Sequence, residues 1–149
     1  MAGTALGVVA VDEVTKAIAL SRGGTQVNLG VSFGLLADHP ALATLASTAA
    51  LCAVAIAAWK WARTSTQFLA LGLILGGGVG NGLNWLALGR SAGVIDWIRI
   101  PGYPAAFNIA DVAIRLGVVI IAGQLAWSML HRSAAMASEG VADPTGNKG

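Results

Sequence analysis

The sequence predicts an all-α membrane protein, with four transmembrane helices and a small extended or β element on the extracytoplasmic side. Three observations carry this. Of 149 residues, 56% are hydrophobic and only 11% charged, where a soluble domain carries about 25% charged residues. The mean hydropathy is +0.72. The apolar residues fall into four segments, each close to the ~20 residues that cross a hydrocarbon core. In hydrocarbon the backbone must satisfy its own hydrogen bonds, so such segments are helices rather than strands.

The segments are residues 1–20, 41–61, 67–88 and 110–131. The first is interrupted by Asp12, Glu13 and Lys16 and has no Lys or Arg ahead of its apolar run, so it does not read as a cleavable signal peptide. A tight basic link with Lys60 and Arg63 joins the second segment to the third. The other two connections are long, lie on the same side, and are punctuated by Gly, Pro, Asn and Asp. Residues 26–36 within the first of them suit a short extended piece. Lys60, Arg63 and Arg132 flank the short-link side, with Lys148 further off, against Arg22, Arg90 and Arg99 on the other. That bias favours both termini in the cytoplasm. One domain, residues 1–132, is expected, followed by a disordered cytoplasmic tail, residues 133–149, of small and polar residues.

Composition also excludes function classes. The net charge is +2 and no basic stretch interleaves with aromatics, which argues against nucleic acid. Cys52 is the sole cysteine, and His39 and His131 sit far apart without a carboxylate at ligand spacing, so neither a disulfide nor a metal site is expected. Gly72, Gly76 and Gly80 recur every four residues along the third segment, with Gly78 and Gly82 beside them. They give a face on which another helix can approach closely.

The polar residues of the apolar segments gather at one depth. In the proposed topology Asp12 and Lys16 lie in the outer half of the first helix, and Asn81 and Asn84 near the outer end of the third. Asn28 lies in the first outer loop, Asp96 and Asn108 in the second, and Asp111 opens the fourth helix. Ionisable groups in membrane segments are costly and mark function. Each also has a plainer role open to it. Asp12 and Lys16, four apart, are placed to pair with each other. Asp111 suits a helix cap or a first-turn acid, Asp96 a solvated loop, and Asn81 interhelical glue. Two carboxylates at one site would form a water-activating pair, because close carboxyls cannot both ionise readily and one keeps a proton.

The motifs in order resemble those of lipoprotein signal peptidases (signal peptidase II). Asp12-Glu13-Val14-Thr15-Lys16 resembles the family's D-Q-x-T-K, and Asn28-Leu29-Gly30-Val31-Ser32-Phe33-Gly34 its N-x-G-A-[AS]-F-G. Gly76-Gly77-Gly78-Val79-Gly80-Asn81 resembles G-G-A-x-G-N, Val94-Ile95-Asp96-Trp97-Ile98 resembles V-V-D-F-I, and Phe107-Asn108-Ile109-Ala110-Asp111 resembles F-N-x-A-D. The resemblance implies an aspartyl endopeptidase of the bacterial plasma (inner) membrane, with its site near the outer face and no cofactor. It implies catalytic Asp96 and Asp111, a substrate cleft lined by Asn28, Gly30, Asn81 and Asn108, and a structural pair Asp12–Lys16 below it. The implied substrate is a prolipoprotein cut just before a diacylglyceryl-modified cysteine, with the acyl chains left among membrane lipids. Globomycin-type cyclic peptides are the implied inhibitors.

Two departures from the family pattern stand out. Where the family reads G-N-x-x-D-R, this chain has Asn84 and Trp85, losing the arginine that contacts the substrate backbone. Arg115 stands where the family has a small or hydroxyl residue, one turn after Asp111. It is a candidate substrate contact in place of the lost arginine, a cation acting on Asp111, or a snorkelling residue. The alternative to a diverged peptidase is a non-catalytic or altered-function paralogue that binds lipoproteins or a membrane partner. Retention of both aspartates favours the enzyme. An unrelated transporter subunit finds no support, since the halves show no inverted repeat.

Overall fold

The computed structural model describes residues 1–28, 38–87 and 93–141. Four helices and two short strands follow in the order α1 (Ala2–Arg22), β1 (Gln26–Asn28), α2 (Pro40–Trp61), α3 (Ser65–Ala87), β2 (Val94–Asp96) and α4 (Ile109–Val141). Helix α3 is central and packs against α1, α2 and α4, while α1 and α4 also touch each other.

The glycine face explains why α3 takes the middle. A Cβ at Gly76 would stand 2.7 Å from the backbone oxygen of Ala5 in α1, and one at Gly77 would meet the backbone oxygen of Ala110 in α4. Neither neighbour can yield, so both close approaches require glycine. The predicted Gly72–Gly76–Gly80 row does face α1, and it ends on Asp12, whose Oδ2 would lie 2.8 Å from a Cβ at Gly80.

The bundle is small and polar inside, large and apolar outside. Its buried positions include Ala58, Ala62, Ala70, Ala110 and Ala113, together with Asp12, Lys16, Asn84 and Asn108. Leu6, Leu86 and Val119 are exposed on the outside. An exterior so rich in large apolar side chains suits a lipid solvent. Two helical stretches, Ser65–Leu86 and Ile109–Ser133, are long and apolar enough to cross a membrane, and α2 contributes the shorter apolar stretch Leu45–Ala58.

The predicted extended piece is realised as β1, which pairs antiparallel with β2 in the register Gln26↔Asp96, Val27↔Ile95, Asn28↔Val94. Residues 29–36 of that expectation lie outside the described residues. After β2 the chain turns back through an isolated antiparallel bridge between Ile98 and Phe107, which returns it to the start of α4. One expectation fails. Helix α4 runs to Val141, so residues 133–141 are helical where an unstructured tail was predicted. Ala134, Ala135 and Ala137 are strong helix formers that extend an already nucleated helix at little cost. Residues 142–149 lie outside the described residues.

Candidate active site

The site is built on the first turn of α4. Four N–H groups at a helix start have no partner within the helix. Asn108, just before α4, accepts the N–H of Asp111 at its Oδ1 (2.9 Å), a side-chain cap to the third helical residue. The N–H of Ala110 is donated to Oδ1 of Asp12, 98 positions away in α1, at 2.9 Å. A carboxylate there also meets the positive end of the helix dipole. Asp12 is fully buried, and its other oxygen lies 2.6 Å from Nζ of Lys16. The expected pair therefore exists, and it fastens α1 to the start of α4.

Two asparagines connect this platform to both candidate carboxylates. Lys16 Nζ donates to Oδ1 of Asn81 (3.2 Å), and Asn81 Nδ2 donates to Oδ1 of Asp111 (2.9 Å). With Lys16 and Asn108 both donating to Asn81 Oδ1, the amide of Asn81 has its NH₂ turned towards Asp111. Asn108 Nδ2 also donates to Asp96 Oδ1 (2.8 Å) and to the backbone oxygen of Ile95 (3.3 Å). Asn108 has no exposed surface and bonds to groups of both Asp96 and Asp111. Asn28 Nδ2 reaches the second oxygen of Asp96 at 3.3 Å. Asn28 pairs with Val94 in the register, so Asp96 is its diagonal neighbour on the same sheet face.

Asp96 is 2% exposed, and its carboxyl is pushed up from 3.8 to about 6. Burial is the largest cause and the charge of Asp111 the next. The hydrogen bonds from Asn28 and Asn108 and the charge of Lys16 act the other way and are outweighed. The structure thus joins Asn28, Asn81, Asp96, Asn108 and Asp111 in one network, with Asp12 and Lys16 beneath it. Gly30 lies outside the described residues. Arg115 is exposed on α4 and places its guanidinium 5.4 Å from the ring centroid of Phe107, the residue before Asn108.

Neither Glu13 nor Asn84 is among the site residues expected from sequence, although Asn84 stands in the polar layer near the outer end of the third segment. Asn84 Oδ1 accepts the N–H of Ile95 and its Nδ2 donates to Oε1 of Glu13, each at 3.2 Å. A carboxylate inside a predicted membrane segment is itself the signal that would have found Glu13.

Comparisons with known proteins agree with one another. A family model described as signal peptidase (SPase) II matches residues 4–127. The chain is 38% identical over 120 residues to a lipoprotein signal peptidase of Methylobacterium sp. (strain 4-46), covering 76% of this chain and 70% of that one. It is 32% identical over 106 residues to one from Chlorobium phaeobacteroides (strain BS1), covering 63% and 65%. A solved bacterial membrane enzyme superposes with a TM-score of 0.70 at 26% identity, covering 82% of this chain and 89% of that one. Another reaches 0.71 at 22% identity, covering 98% and 92%, a likeness of fold.

Proposed function

The chain belongs to the signal peptidase II family, whose reaction is removal of the signal peptide from a prolipoprotein, and we propose that in this member Asp96 and Asp111 are the two carboxylates that perform it. The observation that carries this reading is the Asn108–Asn81 bridge, which ties both acids into one hydrogen-bonded network. Asp96 holds the proton and Asp111 is the base. Asp111 takes a proton from water as the water oxygen attacks the scissile carbonyl, and Asp96 gives its proton to the carbonyl oxygen. The tetrahedral intermediate then collapses: the proton on Asp111 passes to the leaving nitrogen, the C–N bond breaks, and one hydroxyl of the intermediate returns its proton to Asp96 as the new carboxyl group forms. The asparagines hold both carboxyls in place before the reaction, so little reorganisation is needed during it. The chemistry asks for no metal, thiol or cofactor.

All four helices span the membrane in this reading. The 21 residues of α1 rise about 30 Å, which matches a hydrocarbon core. Its charged residues Asp12 and Lys16 face the bundle. Both termini are cytoplasmic, and the sheet and the carboxylates lie at the outer face of the bacterial plasma membrane. There a diacylglyceryl cysteine can present its peptide bond while its acyl chains stay in lipid. Arg115 and the asparagines Asn28 and Asn81 line the substrate cleft, Asn108 lies fully buried behind it, and globomycin-type cyclic peptides block it. Trp85, in place of the family's arginine, favours the second reading, a paralogue that binds lipoproteins without cutting. The two separate on incubating purified protein with a diacylated prolipoprotein. Loss of the signal-peptide mass supports the peptidase, and capture of the intact chain supports the binder.

A further inference from the structure

Strand β2 is three residues long and, among the described residues, has one strand partner, β1, of the same length. So small a ribbon is marginal by itself, yet it must deliver Asp96 to within a fraction of an ångström of its working position. A misplacement of about 1 Å can cost roughly 100-fold in rate. What fixes the strand is visible at Ile95, the residue before Asp96. Its oxygen accepts from Asn108 and its N–H is donated to Oδ1 of Asn84 in α3, at 3.2 Å. Asn84 is 4% exposed. Its other end, Nδ2, donates to Glu13 Oε1 in α1 at 3.2 Å.

The donor–acceptor pattern constrains the residue types. An ionised carboxylate only accepts hydrogen bonds, and a peptide N–H only donates. A side chain standing between them must therefore donate to one and accept from the other. An amide does this in one orientation alone, with its NH₂ towards Glu13 and its oxygen towards Ile95. Glu13 thus prevents the amide from turning over and presenting N–H to N–H. The chain Glu13–Asn84–Ile95 carries the rigidity of α1 and α3 into β2.

We propose that Asn84, oriented by Glu13, is a positioning residue for Asp96, an inference that rests on Asp96 being a reacting carboxyl. In Asn84→Asp two acceptors oppose each other across the Glu13 contact and repel. In Glu13→Gln/Asn84→Asp the amide and the carboxylate have changed places, so the new carboxylate accepts from both Ile95 and the introduced amide.

The test compares these two variants with the wild type on a diacylated prolipoprotein at pH 7, in detergent, with kcat and KM per folded molecule and amide hydrogen exchange at Ile95. The proposal expects Asn84→Asp to lose about tenfold or more in kcat with KM within about threefold, the pattern of a misplaced reacting group. It also expects faster exchange at Ile95, with the double variant recovering both properties. It is overturned if Asn84→Asp keeps its kcat, if the double variant is no better than the single, or if only the melting temperature changes. If the wild type itself cleaves nothing, the peptidase reading fails. Exchange at Ile95 then decides the tether alone: unchanged exchange in Asn84→Asp refutes it, and loss with recovery in the double variant supports it.

Discussion

Replacing Asn108 by aspartate changes almost no volume, so whatever it does comes from hydrogen bonding and charge. One introduced oxygen still caps the N–H of Asp111, as Oδ1 does now at 2.9 Å. The other takes the place of Nδ2 and faces Asp96 Oδ1 at 2.8 Å, Asn81 Oδ1 at 3.0 Å and the oxygen of Ile95 at 3.3 Å. Three acceptors then confront a fourth. Losing a hydrogen bond to a carboxylate costs about 1.5–3 kcal/mol. In the form in which Asp96 has lost its proton, the two carboxylates at that separation also repel, by about 6 kcal/mol at an effective dielectric constant near 20. The introduced group escapes part of this by taking up a proton, so the smaller figure governs. At 1.36 kcal/mol per tenfold, kcat should fall roughly 10- to 100-fold at pH 7. The direction of the pH effect follows. As pH falls the introduced carboxyl gains its proton and can donate again, so the deficit relative to wild type should shrink. The assay is cleavage of a diacylated prolipoprotein followed by mass, with folding checked by thermal melting. A variant within threefold of wild type at pH 7 would refute the bridging role of Asn108.

Lys16→Met should destabilise the fold by about 3–5 kcal/mol, because it leaves the buried carboxylate of Asp12 without its cation. Asp12→Asn/Lys16→Met should recover most of that in thermal unfolding, since a neutral amide oxygen can still accept the N–H of Ala110. The plot of log kcat/KM against pH should fall above about 6 with a slope of one. Asp96 acts as the acid in its protonated form, and that form is lost as pH rises through its raised value of about 6; a flat profile from pH 5 to 8 would contradict the assignment. Arg115→Met should raise KM about tenfold with kcat nearly unchanged, as for a group that binds substrate and transition state alike; an unchanged KM would make Arg115 a packing partner of Phe107.

Much of this site could be read from the chain because membrane segments make polar residues conspicuous. Asp12, Lys16, Asn81 and Asp111 stand out against apolar neighbours, and the i, i+4 spacing of Asp12 and Lys16 already implied their pairing. The glycine row was equally legible, since only close helix approach explains a four-residue repeat of missing side chains. What stayed hidden depends on long-range geometry. No local pattern says that Asp12 caps Ala110 in α4, or that Asn84 reaches across to Ile95 and Glu13. Asn108 looked like one cleft residue among several, whereas its complete burial and its bonds to Asp96, Asn81 and Asp111 make it the hub. The three-residue strands are too short to give an alternation signal. The end of α4 was misjudged because small polar residues read as a tail, although the alanines among them favour a helix.

Asp96 and Asp111 are the proposed pair that cleaves the signal peptide of a prolipoprotein. Asp96→Asn and Asp111→Asn keep the size of each side chain and leave one oxygen to accept from the neighbouring asparagine, and each removes one proton-transferring group. Single-turnover cleavage of a diacylated prolipoprotein by each folded variant is the most direct measurement. Both variants should lose on the order of 1,000-fold or more, within the usual contribution of a proton-transferring group and an ordered water, with melting temperatures near wild type. Cleavage by either variant within tenfold of wild type would contradict that pairing.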